Sequence, residues 1–184
     1  MGFEALKEIR NRLPFQLKGI DSDNGSEFIN SHLFSYCQEQ NIKFTRSRPH
    51  RKNDNCFVEQ KNFTAVRNYV GYYRYDTKDQ MDVLNALYSQ MRLYLTNFQP
   101  SMKLISKIRK GTKITKKYDT AKTPYTRILI DNDIDEYQKI KLKSNYELLN
   151  PFELKRKINK LQNKLFRMAY LRKHERYFNG KKIS

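Results

Sequence analysis

Between Pro14 and Arg46 the apolar pattern changes period twice, and this limits the folds open to the chain. Leu17 to Asp21 reads as a short strand. Asn24-Gly25 supplies a turn, and Ser26 suits the N-cap of a helix running to about Asn41, with Phe28, Leu33, Tyr36 and Cys37 inward. Ile42 to Arg46 reads as a second strand. Strand, helix and strand in that order predict an α/β architecture. In open α/β sheets ligands collect beyond the carboxyl ends of the strands, and Asp23 falls at such an end.

Helical spacing dominates elsewhere. Phe3, Leu6, Ile9, Arg10 and Leu13 predict a helix over 3–13, which Pro14 stops. Asn53-Asp54-Asn55 can cap a helix from about Cys56 to Tyr69, with Val58, Ala65, Val66, Tyr69 and Val70 as its buried face. Residues 79–97 carry the stripe Val83, Leu84, Leu87, Met91, Tyr94 and Leu95. From 101 to 118 there are seven Lys or Arg and no acid. Short strands are expected around Thr112–Ile114 and Arg127–Ile130, then an acidic linker with Asp131, Asp133, Asp135 and Glu136. Leu154, Ile158, Leu161, Leu165 and Met168 step by four and three, a short heptad seam expected to pack on another subunit or on the body of the protein. A basic, frayed tail is expected over 169–184.

Thirty-seven Lys and Arg against 19 Asp and Glu give a net charge of +18. That excess favours a polyanionic partner, above all nucleic acid, because neutralising phosphates releases their counterions. A basic structural or ribosome-associated protein is the plainer alternative. The 13 Tyr and 11 Phe are expected mainly in the core, although tyrosines on a basic surface also stack on exposed bases. Cys37 and Cys56 lack metal-ligand spacing and fit a reduced, intracellular chain. No apolar run approaches the ~20 residues of a membrane span, and Met1 leads into a helical pattern without a signal-peptide core. The expected location is cytoplasmic, near the nucleoid.

Two carboxylates carry the chemistry. Asp23 lies in Gly19-Ile20-Asp21-Ser22-Asp23-Asn24-Gly25-Ser26-Glu27-Phe28, and Glu59 follows after 35 intervening residues in Asn53-Asp54-Asn55-Cys56-Phe57-Val58-Glu59-Gln60-Lys61-Asn62. Taken singly, Asp23 also fits an ordinary Asp-Asn-Gly turn, and Glu59 a first-turn acid favoured by the helix dipole. Asp21, two residues before Asp23 on the same strand, is a further possible ligand or simply a solvent-facing strand end. Arg46, Arg48, His50, Arg51 and Lys52 precede Glu59, and residues 42–74 hold eight basic groups against two acids. This basic loop can hold phosphates beside a metal site, with Lys61 and Arg67 extending the track and Asn55 either touching DNA or capping the helix.

The ordered combination resembles the second half of the Asp, Asp, 35, Glu core of retroviral integrases and bacterial insertion-sequence transposases. Thr45-Arg46-Ser47-Arg48-Pro49, the Asn53 to Asn62 segment, Leu104 to Tyr118 and Thr123-Pro124-Tyr125-Thr126-Arg127 resemble the bacterial branch in particular. The resemblance implies an α/β fold: a partial ribonuclease-H-like integrase core lacking its first strands, followed by a basic, partly β and helical C-terminal extension. Residues 1–100 would be the partial catalytic core, 101–150 a basic linker with a small β element, and 151–184 a C-terminal basic helix and tail.

It also implies a metal-dependent polynucleotidyl transferase, in which Asp23 and Glu59 are catalytic residues that ligate two Mg²⁺ or Mn²⁺ ions. Such ions, about 4 Å apart, clamp the attacking and leaving oxygens of a phosphodiester. Water would free a 3′ hydroxyl at the element's end, and that hydroxyl would attack target DNA. The expected partners are transposon-end and target DNA, with a homo-oligomer in the intact parent and no membrane. The family's first carboxylate comes from the first strand of the sheet, whereas the acids upstream of Asp23 are Glu4, Glu8 and Asp21. Three central strands and one ligand of the family pattern are missing, so weak or no metal binding and an inactive, truncated remnant are expected. A non-catalytic DNA-binding regulator of transposition is the alternative.

Overall fold

The computed structural model describes residues 2–22, 31–48 and 56–180 of the chain. The chain divides into two compact units, residues 1–71 and 72–184.

In the first unit, helix α1 (Gly2–Arg12) precedes strand β1 (Gly19–Ser22), helix α2 (Ser31–Glu39) and strand β2 (Lys43–Arg46). β1 and β2 pair in parallel, with Gly19 opposite Lys43 and Ser22 opposite Arg46. Parallel strands need a crossover, and α2 lies in it. The expected strand, helix and strand are therefore present, each within two or three residues of the expected bounds where described; residues 23–30 lie outside the described residues. α2 ends in a Schellman arrangement: Asn41 adopts a left-handed φ of 53°, Ile42 N–H donates to Cys37 O at 2.8 Å, and Asn41 N–H to Gln38 O at 3.2 Å. That closure turns Ile42 back onto Cys37. With Leu33 they form a small buried core, flanked by Leu6, Leu17, Ile20, Tyr36 and Phe44. Fully burying a Leu or Ile side chain contributes about 1.5–3 kcal/mol, so this core is a modest one.

After β2 the chain is helical from Cys56 to Val70. It runs as α3 (Cys56–Asn62), a π-helical turn (Phe63–Arg67) and α4 (Asn68–Val70). Thr64 Oγ1 donates back to Gln60 O at 2.9 Å at the start of the wide turn. Val70 is buried and Ala65, Val66 and Tyr69 are half-buried, so the expected apolar face is present in its C-terminal half; the expected burial of Val58 lies outside the described residues. Gly71 ends the helix with φ 66° and ψ −155°, a conformation that favours glycine.

The second unit is built on α5 (Lys78–Asn97) and α8 (Pro151–Gly180), which pack along each other. A capping box starts α5: Gln80 N–H donates to Thr77 Oγ1 at 3.2 Å, and Thr77 N–H to Gln80 Oε1 at 3.3 Å. Gln80 is itself buried, because its side chain is consumed by that cap and by Asp76 N–H at 3.1 Å. Val83, Leu87 and Met91 of α5 and Leu154, Ile158, Leu165 and Ala169 of α8 are buried. The heptad seam thus packs on the body of the protein. The tail expected to fray over 169–184 is instead helical through Gly180, and residues 181–184 lie outside the described residues. By compactness α5 groups with α8 in the second unit.

Between them lie the hairpin β3 (Leu104–Lys110) and β4 (Lys113–Tyr118), then α6 (Pro124–Leu129) and α7 (Glu136–Glu147). The strand expected at Arg127–Ile130 is not formed. Thr123 Oγ1 accepts from Thr126 N–H at 3.1 Å and Pro124 occupies the first turn, so the segment starts a helix. The expected acidic linker likewise ends in a helix, since Glu136 opens α7 and accepts a hydrogen bond from the buried Lys139 at 2.8 Å. The aromatics do not form the core as expected: among the described residues no Tyr or Phe is buried, and Tyr72, Tyr73 and Phe152 are exposed. Several pair with one another at the surface instead, Tyr125 stacking on Tyr146 at 4.4 Å and Tyr73 meeting Phe166 at 5.7 Å.

Candidate nucleic-acid and metal site

The parallel pairing of β1 and β2 puts their carboxyl ends side by side. Ser22 is the last residue of β1 and is buried; it stands opposite Arg46, the last residue of β2, which is exposed. Ser47 continues the contact, with its N–H donating to Ser22 O at 3.0 Å and its Oγ to the same oxygen at 3.3 Å. Ser22 Oγ is buried without a partner among the described residues. Asp21 is exposed, and its Oδ1 accepts from Thr45 Oγ1 at 2.8 Å. One oxygen of that carboxylate is therefore engaged in tying the two strands together, as a strand-end residue would be.

Asp23 lies outside the described residues, as do His50, Arg51, Lys52 and Asn55. Arg48 is described and exposed. Glu59 is exposed in the first turn of α3, where a negative charge faces the positive end of the helix dipole. Lys61, two residues on, is exposed as well. Arg67 is half-buried at the end of the π-helical turn, and its Nη1 donates to Gly71 O at 3.3 Å. Part of that guanidinium thus caps its own helix. Among the described residues no three His, Cys, Asp or Glu side chains gather as a metal-ligand cluster. Glu59 offers a hard, accessible oxygen donor of the type divalent cations take. Asp21, half-engaged by Thr45, is the described carboxylate nearest Asp23 in sequence.

A second cationic surface lies in the other unit. β3 and β4 pair antiparallel, with Lys107 opposite Lys116 and Lys110 opposite Lys113. The basic run is plain in the sequence, whereas the expectation of a strand covers only a fragment of β4. Gly111-Thr112 between Leu104-Ile105…Ile108 and Ile114-Thr115 is the local signal that marks the hairpin. Asp119, just past β4, anchors the ribbon's base. Its Oδ1 accepts from Lys103 N–H at 2.6 Å and its Oδ2 from Arg127 Nη1 at 2.6 Å, while Arg127 Nη2 donates to Ser101 O at 2.7 Å. The Arg127 bond first, then the Lys103 N–H, holds the Asp119 carboxyl below the usual aspartate range.

No family model matches the chain, and no solved structure matches it. It is similar to the uncharacterized protein y4rM of Sinorhizobium fredii, at 43% identity over 123 residues, which make up 67% of this chain and 35% of that protein. The chain thus spans little more than a third of the relative's length. No helix among the described residues is long and apolar enough to cross a membrane.

Proposed function

We propose that this chain carries part of a ribonuclease-H-like transposase or integrase catalytic core, that the chemistry of the complete core is DNA cleavage and strand transfer, and that this chain by itself is inactive. The observation that supports this best is the parallel β1–α2–β2 unit. Asp23 follows the last residue of β1 in sequence, and Glu59 lies in the first turn of the helix after β2, with 35 residues between them. Asp23 and Glu59 would hold divalent ions through hard oxygen donors. Such ions, when bound, neutralise charge at a scissile phosphate and make water a nucleophile at neutral pH. The protein's own contribution is positioning. Arg46 and Arg48 at the end of β2, with His50, Arg51, Lys52, Asn55 and Lys61 after them, would hold the DNA backbone against the carboxylates. Two carboxylates make a weak Mg²⁺ site, and a third ligand would complete it.

Calorimetric titration of the full chain with Mn²⁺ tests the pairing. Weak binding is expected, lost in Asp23→Asn and lost equally in Glu59→Gln. Binding that survives both single substitutions would overturn the shared site. Strand transfer by this chain alone in Mn²⁺ would overturn its expected inactivity.

A non-catalytic DNA-binding regulator is the second reading, favoured by the net charge of +18. Its signature is salt-dependent DNA binding that persists in the Asp23→Asn/Glu59→Gln double variant.

A further inference from the structure

The hairpin β3–β4 carries more charge than its own fold can use. Lys107 directly faces Lys116, and Lys110 directly faces Lys113. Like charges in directly opposed positions destabilise a β-ladder. Nothing within the ribbon offsets them, because residues 101–118 contain seven Lys or Arg and no Asp or Glu. Among the described residues, none of the hairpin's lysines pairs with a carboxylate.

The charge is also spread over two faces. Alternate residues of a strand share a side. Register therefore sets Lys107, Arg109 and Lys116 on one face and Lys110, Lys113 and Lys117 on the other, and all six are exposed. Exposed Ile108 and Ile114 are interleaved with these cations, whereas the other exposed apolar side chains, Leu104, Ile105 and Tyr118, gather at the ribbon's base, away from the Lys110–Lys113 tip. A flat anionic surface would neutralise one face and leave the other repelling itself. A groove walled by phosphates on both sides neutralises both.

The shape agrees with the charge. The tip is a two-residue turn led by Gly111 with φ 59°, and a Cβ placed on Gly111 would meet nothing within 4 Å. The base is held by the Asp119–Arg127 pair and the bond from Arg127 to Ser101 O. A major groove about 12 Å wide admits a two-stranded β-ribbon.

We infer that the β3–β4 ribbon is a duplex-DNA-binding surface that enters the major groove and sets the cations of its two faces against the phosphates of the two strands. This goes beyond the carboxylate site and does not rest on it, since the ribbon belongs to the other unit.

The test uses the full chain and a labelled mixed-sequence DNA duplex, with affinity measured across a salt series. In Lys107→Gln/Lys116→Gln the slope of log K against log[salt] should become shallower by about 1.8, at ~0.9 for each phosphate that is no longer neutralised. Lys160→Gln/Lys164→Gln, an exposed pair on α8, should change it much less. An equal change from both double variants would overturn the proposal. So would displacement of the duplex by single-stranded RNA at lower concentration than by unlabelled duplex. Thermal melting separates binding from folding: relieving a Lys–Lys repulsion should leave Tm equal or higher, and a lower Tm would overturn the premise. Asp23→Asn/Glu59→Gln should retain the wild-type slope, so failure here and failure of the catalytic reading are distinguishable.

Discussion

Asp119 accepts three hydrogen bonds, two from Arg127 and one from Lys103 N–H. Its folded pKa is lowered, so the stability it contributes is fully present above the unfolded aspartate value and is lost as pH falls through the folded one. Asp119→Asn should therefore lower Tm at neutral pH, and the gap between the two proteins should close on acidification through the carboxylate range. A gap independent of pH would mean that the ion pair contributes nothing. Arg127 and Thr123 belong to the segment that carries the resemblance to transposases, yet in this fold Thr123 caps a helix and Arg127 braces a hairpin. Among the described site residues, Arg67 similarly spends one nitrogen on its own helix end. The bracing role of Arg127 follows from contacts across 8 to 26 residues, which no local pattern displays.

At the scale of elements, α5 is legible in the sequence almost to the residue. Its stripe of Val83, Leu87 and Met91 has helical spacing, while the capping box of Thr77 and Gln80 emerges from the structure. Thr77→Ala should cost about 1 kcal/mol in chemical denaturation, the usual value of an N-cap. Leu87 is wholly buried, and Leu87→Ala should cost about 2–5 kcal/mol, from lost transfer energy plus an unfilled cavity. An effect below the ~1 kcal/mol typical of a point substitution, measured the same way, would mean that the α5–α8 seam relaxes around the deletion. α7 is not legible in this way. Its apolar side chains do not form a stripe, with Tyr137 and Ile140 exposed and Leu142 and Tyr146 only half-buried. Tertiary contact, including the Tyr125–Tyr146 stack, holds it where periodicity gives no signal.

At the scale of the whole molecule, the two units differ in what holds them. Residues 1–71 close over a core of Leu33, Cys37 and Ile42, whereas 72–184 bury two long helices against each other. Native-state hydrogen exchange should find the slowest amides in α5 and α8 and faster exchange in the short strands β1 and β2. Slowest exchange in β1 would reverse that ranking of local stability. The uneven placement of charge also belongs to this scale. The net +18 is plain from composition, but its concentration on both faces of one ribbon depends on strand register.

Local chemistry alone settled the strand–helix–strand order and the apolar stripes of α5 and α8, because period is a property of neighbouring residues. Tertiary structure decided that α8 lies on α5, that Arg127 begins no strand, and that lysines from two strands stand face to face. Those outcomes depend on which distant groups meet, and the free energy of such meetings is not written in the spacing of either segment by itself.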